Sequence, residues 1–143
     1  MAREFGQGPI LVSHLAQRER IPRKFLEGIL LELRHNGILH SRKGKGGGYF
    51  LAREPARITL GDILRVTEGS LAPALCVDKT AQLRCRECID ENTCLVRMVM
   101  RELYEATDSI VDSTSLADVL GRRVGSASGN RRLKRPSQKI LPI

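Results

Sequence analysis

Residues 11–37 read LVSHLAQRERIPRKFLEGILLELRHNG, and the spacing of their apolar side chains decides the fold. Leu11 and Leu15, then Ile21, Phe25, Ile29, Leu30 and Leu33, recur at helical spacing with one break around Glu19 and Arg20, as expected for α-helices that each bury one face. The pattern predicts a helix of about 6 residues, a turn of about 3 and a second helix of about 14. Ser13 is the expected N-cap of the first, its hydroxyl accepting from a backbone N–H that has no helical partner. Pro22 suits the first position of the second, where its missing N–H forfeits no helical bond. Asn36-Gly37 then supplies a left-handed stop. Two helices joined so tightly make a helix-turn-helix, whose second helix enters the DNA major groove.

After the second helix the chain reads as a wing. Ile38, Leu39 and His40 form a short strand, Arg42-Lys43-Gly44-Lys45-Gly46-Gly47-Gly48 a loop, and Tyr49, Phe50 and Leu51 the return strand. The glycines permit positive φ and let backbone approach a phosphate, while Arg42, Lys43 and Lys45 bring charge to the tip. Such a hairpin reaches the minor groove or the DNA backbone. A nucleotide-binding loop is disfavoured, because the G-x-x-x-x-G-K-[ST] spacing is missing and a strand comes next in place of a helix. Ile58-Thr59-Leu60-Gly61-Asp62-Ile63-Leu64 predicts a further short helix capped by Thr59.

A chain of 143 residues is one compact domain with an appended segment, too short for a barrel enzyme or a two-domain dehydrogenase. Its net charge of +8 points to a polyanionic partner. With no Trp, two Tyr and three Phe, duplex DNA is a better expectation than a single strand stacked on aromatic rings. The charge is unevenly spread. Residues 1–57 hold 11 basic and 5 acidic groups, residues 58–120 hold 6 and 11, and residues 121–143 hold 7 and none. The last segment has no helical or strand period and is expected to be a disordered basic tail, either adhering to DNA without regard to sequence or simply solvated. No apolar run approaches the ~18 residues of a membrane span, and Met1-Ala2-Arg3-Glu4-Phe5 lacks the apolar stretch of a signal peptide. The chain is therefore expected in the cytoplasm, with no membrane partner.

In that reducing compartment clustered thiols are metal ligands or redox groups more often than disulfides. Cys76, Cys85, Cys88 and Cys94 are separated by 8, 2 and 5 residues. Their spacing leaves open an iron–sulfur cluster held by three or four thiolates, a zinc ion held by four, a dithiol switch, or unrelated thiols in a surface loop. Zinc loses its main support because Cys85-x2-Cys88 has no second C-x2-C after it. A thiol oxidoreductase is the remote alternative, since the C-x-x-C is not set in a βαβ pattern and the three histidines lie far from the cysteines; the chain is read as no enzyme. From Thr93 to about Asp112 a long helix is expected, with a heptad-like stripe at Val96, Val99 or Met100, Leu103, Ala106 or Thr107, and Ile110. Such a face is either core or the seam of a symmetric dimer, and the dimer suits a helix-turn-helix protein reading pseudopalindromic half-sites.

Taken together, Ile21-Pro22 with Phe25-Leu26-Glu27, the Leu33-Arg34-His35-Asn36-Gly37-Ile38 exit, the Gly44-Lys45-Gly46-Gly47-Gly48-Tyr49 wing, the 58–64 segment and the cysteine loop resemble the Rrf-two family of bacterial winged-helix regulators over roughly residues 2–120. That family includes an iron–sulfur cluster regulator, a nitric-oxide-sensitive repressor and a cysteine-metabolism repressor. The resemblance implies a mainly α protein with a small β-hairpin wing, a winged helix-turn-helix followed by a long dimerisation helix, acting as a homodimeric, DNA-binding transcriptional regulator. By position it implies that Arg23, Lys24, Glu27 and Gly28 face the major groove and that Lys43 is the wing-tip base, flanked by Arg42 and Lys45. It implies a 2Fe-2S or 4Fe-4S cluster on Cys76, Cys88 and Cys94, with Cys85 an extra thiol, sensing iron–sulfur or redox and nitrosative status. A thiol-switch or partner-controlled regulator without a cluster is the alternative.

Two departures stand out. Where the cluster regulator has a histidine ligand three residues after the last cysteine, this chain has Arg97, so either Cys85 replaces it or the fourth ligand is exchangeable or missing. Family members also begin with a longer helix, of which Met1–Phe5 looks like only the end, and a translation start upstream is expected. The resulting division is a winged helix-turn-helix region over 1–57 with its first helix largely missing, a short helix and cysteine-rich sensor loop over 58–94, a dimerisation helix and cap over 95–120, and the basic tail over 121–143.

Overall fold

The computed structural model describes residues 1–81, 83–85 and 88–122. Of the basic tail expected over 121–143, Gly121 and Arg122 are described, Gly121 as the end of a helix; from residue 123 onward it lies outside the described residues. After a 3-10 turn at Ala2–Glu4, the chain forms α1 (Val12–Glu19), α2 (Arg23–His35), β1 (Leu39–Arg42), β2 (Gly48–Leu51), α3 (Leu60–Thr67), α4 (Leu95–Asp112) and α5 (Leu116–Gly121). The architecture is mainly α with one two-stranded antiparallel hairpin, as the apolar periods require. Among the described residues no helix is long and apolar enough to cross a membrane.

The helix-turn-helix core forms because the apolar positions of α1, α2 and the hairpin converge. Leu15, Leu26, Leu30, Ile38, Leu39, Leu51 and Ile58 make one buried cluster, with Leu39 at 2% and Ile58 at 0% exposure. The cap of α1 differs from expectation: Leu11, not Ser13, is the N-cap, with no side-chain bond. The entry to α1 is fixed instead by a backbone bridge between Ile10 and Tyr49, with N–H to carbonyl distances of 2.9 and 3.0 Å, which leaves Ser13 within the first helical turn. α1 ends on Arg20 in the left-handed region at φ 56°, and α2 ends at Asn36 ahead of Gly37 at φ 71°.

β1 and β2 pair Leu39 with Leu51 and Arg42 with Gly48. Two glycines of the wing are required sterically. A Cβ on Gly47 would lie 2.2 Å from the Arg42 carbonyl oxygen, and one on Gly48 2.2 Å from the Ile10 carbonyl oxygen. The hairpin therefore closes tightly and its base presses on the segment that starts α1.

α3 begins with a reciprocal cap, Thr59 accepting from the Asp62 N–H while Asp62 accepts from the Thr59 N–H. α4 begins at Leu95, two residues later than the periodicity predicts, because Asp90 accepts from the Asn92 N–H and the Thr93 hydroxyl and holds 90–93 as a turn. α5 was not legible as a separate element. Ser115 caps it with Asp118 in the same reciprocal way, and Leu60 N–H to Thr114 O and Leu116 N–H to Ile58 O, both 2.9 Å, stitch the end of α4 to the start of α3. That stitch covers Ile58.

Candidate functional site

On α2, Arg23, Lys24 and Gly28 are exposed and Glu27 is half-buried. Arg23 donates from Nε to Glu27 Oε1 at 2.8 Å, an i,i+4 pair along the helix. On the wing Arg42, Lys43 and Lys45 are all exposed. Arg42 donates to the Gly46 carbonyl at 3.1 Å and so helps shape the loop. Among the described residues Lys43 and Lys45 form no ion pair at the tip.

The cysteine loop is organised differently. Cys76 lies in a 3-10 turn, Leu75–Val77, whose Val77 is buried, and Cys94 is the N-cap of α4. Cys76, Cys88 and Cys94 are half-buried, and Cys85 is exposed. Burial is the main influence raising the Cys88 thiol above its ordinary value, followed by the charge and hydrogen bond of Cys94 and then Cys85 and Glu91. Cys94 and Cys85 thus both act on the Cys88 thiol. Among the described residues no three His, Cys, Asp or Glu side chains are grouped so as to hold a metal ion.

Arg97, which stands in place of the histidine, performs a different task. From the first turn of α4 it donates to the Cys76 carbonyl at 3.1 Å and the Glu91 carbonyl at 3.3 Å, and pairs with the Glu91 carboxylate at 3.0 Å. One guanidinium thus ties both ends of the loop to the helix. Asp78 fastens the segment after Cys76: hydrogen bonds from Ser70 and Thr80 hydroxyls, then from the Thr80 and Ala81 N–H groups, hold its carboxyl down to about 2. The Asp78-x-Thr80 and Asp90-x-Asn92 spacings were available as turn signals; the contacts of Arg97 had no such local signature.

α4 presents two distinct faces. Tyr104 and Val111 are buried against the body, with Met100, Thr107 and Asp108 half-buried beside them. Val96, Val99, Leu103, Ala106 and Ile110 are exposed, which resolves the two ambiguous positions of the expected stripe in favour of Val99 and Ala106. An uncovered apolar seam at heptad spacing is what a partner helix requires.

A three-helical body with a basic glycine hairpin directly after the second helix of a helix-turn-helix defines a winged helix-turn-helix regulator. The family model for Rrf2, described as an iron-dependent transcriptional regulator, matches residues 1–122, and the chain belongs to that family. An rrf2-like HTH-type transcriptional regulator of Rhodobacter capsulatus is 33% identical over 140 residues, covering 98% of this chain and 86% of that protein. The solved structure of CymR, the global cysteine regulator of Bacillus subtilis, is similar with a TM-score of 0.68 at 31% identity, covering 84% of each chain. IscR of T. potens is similar with a TM-score of 0.66 at 32% identity, covering 90% of this chain and 82% of that one. The protein is accordingly a transcriptional regulator, and its relatives are regulators, not enzymes.

Proposed function

We propose that this regulator binds duplex DNA as a homodimer and that the state of its cysteine loop sets its affinity for an operator. Arg23, Lys24, Glu27 and Gly28 would meet base edges in the major groove, while Arg42, Lys43 and Lys45 meet the backbone or minor groove. The seam at Val96, Val99, Leu103, Ala106 and Ile110 would join two copies. The observation that carries this reading is the position of the thiols: Cys94 caps the helix that bears the seam, and Arg97 of the same helix holds the Cys76 carbonyl. A change at the cysteines therefore acts on the element that would relate the two reading helices.

The donor chemistry fits a thiolate-ligated iron–sulfur cluster, and the family's description as iron-dependent supports it. Cys76, Cys88 and Cys94 would hold the cluster, with Cys85 as the nearest additional thiol. Bound there, it supplies a redox- and nitric-oxide-sensitive centre. Negative charge delivered to Cys94 would sit at the N-terminus of α4, where the helix dipole favours it. A second reading, a dithiol switch without a cluster, is favoured by the influence of Cys94 on the Cys88 thiol.

Anaerobic reconstitution with iron and sulfide, followed by absorption spectra, iron and sulfide analysis and duplex binding, separates the two. The cluster reading expects a coloured protein whose DNA binding differs from that of the thiol form, and a colourless, iron-free product excludes it. Oxidation that changes DNA binding only when both Cys88 and Cys94 are present would then support the dithiol.

A further inference from the structure

α3 and α4 are joined at two points. The first is the backbone stitch at Thr59 and Ser115, where two strand-like hydrogen bonds act as a hinge. The second is Arg65. Its guanidinium binds Asp112 through both nitrogens, Nη1 to Oδ1 at 2.6 Å and Nη2 to Oδ2 at 2.9 Å, and Nη2 also reaches Asp108. These contacts span 43 and 47 residues of sequence. The Asp112 bonds, then those of Asp108, raise the Arg65 pKa, and the same contact lowers that of Asp112.

The approach is close by construction. A Cβ on Gly61 would lie 2.0 Å from Asp112 Oδ1 and 2.6 Å from Arg65 Nη1, so a side chain there would push the carboxylate and guanidinium ends aside. A second cation arrives from the cysteine loop. Lys79 lies 4.0 Å from Asp108 and 5.4 Å from the centre of the Tyr104 ring.

An isolated exposed ion pair contributes little, whereas a bidentate arginine inside a network fixes geometry. Here the geometry fixed is the angle between the winged-helix body and the helix bearing the seam. α4 has 18 residues and so extends ~27 Å at ~1.5 Å per residue. A rotation of about 10° at the hinge would carry its far end ~5 Å, more than one base-pair step of ~3.4 Å.

We propose that Arg65 is a positioning residue that sets the half-site spacing read by the dimer, strutting α3 against Asp108 and Asp112 of α4. This rests on the dimeric reading above and extends it to residues that touch neither DNA nor the thiols.

The test uses duplexes selected from random-sequence DNA by the wild-type protein, then remade with one base pair added or removed between half-sites. Wild type is expected to prefer its own spacing by about tenfold. Arg65→Met, which keeps the aliphatic stem, and Asp112→Asn are expected to reduce that preference to about twofold or less, with binding to an isolated half-site unchanged. Arg65→Asp combined with Asp112→Arg is expected to recover part of it. Thermal melting shows whether each variant is folded, and the double reversal answers for any single variant that is not. Undiminished spacing preference in folded Arg65→Met and Asp112→Asn overturns the strut. A wild-type protein that sediments as a monomer and ignores spacing overturns the dimeric reading itself, which distinguishes the two failures.

Discussion

The winged-helix half of this molecule and its cysteine-loop half, proposed above as the reading and the sensing half, are held together by different forces. Around α1, α2 and the wing, seven apolar side chains form one buried cluster. In the loop and α4 the buried apolar residues are Val77, Tyr104 and Val111, and much of the remaining adhesion is polar: Asp78 to Ser70, Thr80 and Ala81, Asp90 to Asn92 and Thr93, Arg97 to Cys76 and Glu91, Arg65 to Asp108 and Asp112. Apolar burial is non-directional and costly to undo. Hydrogen bonds and ion pairs at partly exposed sites are directional and exchange for bonds to water at small net cost. A reader fixed by the first and a sensor fixed by the second can change in one half without melting the other.

Equal truncations in the two halves should therefore have unequal effects. Leu30→Ala, at a site only 3% exposed, is expected to cost about 2–5 kcal/mol in chemical denaturation. Leu103→Ala, at 51% exposure, is expected to cost less than ~0.5 kcal/mol where the chain is monomeric. If Leu103 lies in the seam between copies, Leu103→Asp should weaken dimerisation ~100-fold by sedimentation equilibrium. A large loss of monomer stability at Leu103 would break the distinction between the inner and outer faces of α4.

Within the sensing half, Arg97→Met removes the guanidinium that spans the loop. Reaction of Cys76 with maleimide, monitored in a chain whose other cysteines are serine, is expected to quicken ~3- to 10-fold as the loop opens more often. An unchanged rate would mean that the bonds to Cys76 and Glu91 do not restrain it.

The smallest effect concerns acid. The folded-state pKa of Asp78, about 2, lies below the ~3.9 of an unfolded aspartate, so its contribution is fully present above the unfolded value and disappears as pH falls through the folded one. The stability difference between wild type and Asp78→Ala should accordingly be constant near neutrality and shrink between about pH 4 and pH 2. Urea titrations across that range check it. A difference that grew on acidification would contradict the assignment.

The same division explains what was legible in sequence. The reading half announces itself because local rules govern it: helical spacing from Leu11 to Leu33, the Gly37 stop, and wing glycines without room for a Cβ. Thr59 as a cap was also legible, since Asp62 stands three residues on. Ser13 failed as a cap because a tertiary bridge, Ile10 to Tyr49, had already set the entry to α1. The Ser115-x-x-Asp118 box had the same local form as Thr59-x-x-Asp62, yet it escaped notice because α5 has only six residues and little period of its own. The Arg65 strut had no local form at all, its partners lying more than forty residues away. Cysteine spacing identified the loop, but spacing along a chain does not fix separation in space, and the described side chains are not grouped so as to hold a metal ion.

The most direct test of the central claim, that the cysteine loop governs DNA reading, is the operator affinity of one preparation in two loop states. The free-thiol protein and the same protein after anaerobic reconstitution with iron and sulfide would be titrated with the selected duplex at one salt concentration. The two dissociation constants are expected to differ by about tenfold or more. Agreement within about twofold, with iron and sulfide measured in the reconstituted sample, would contradict it.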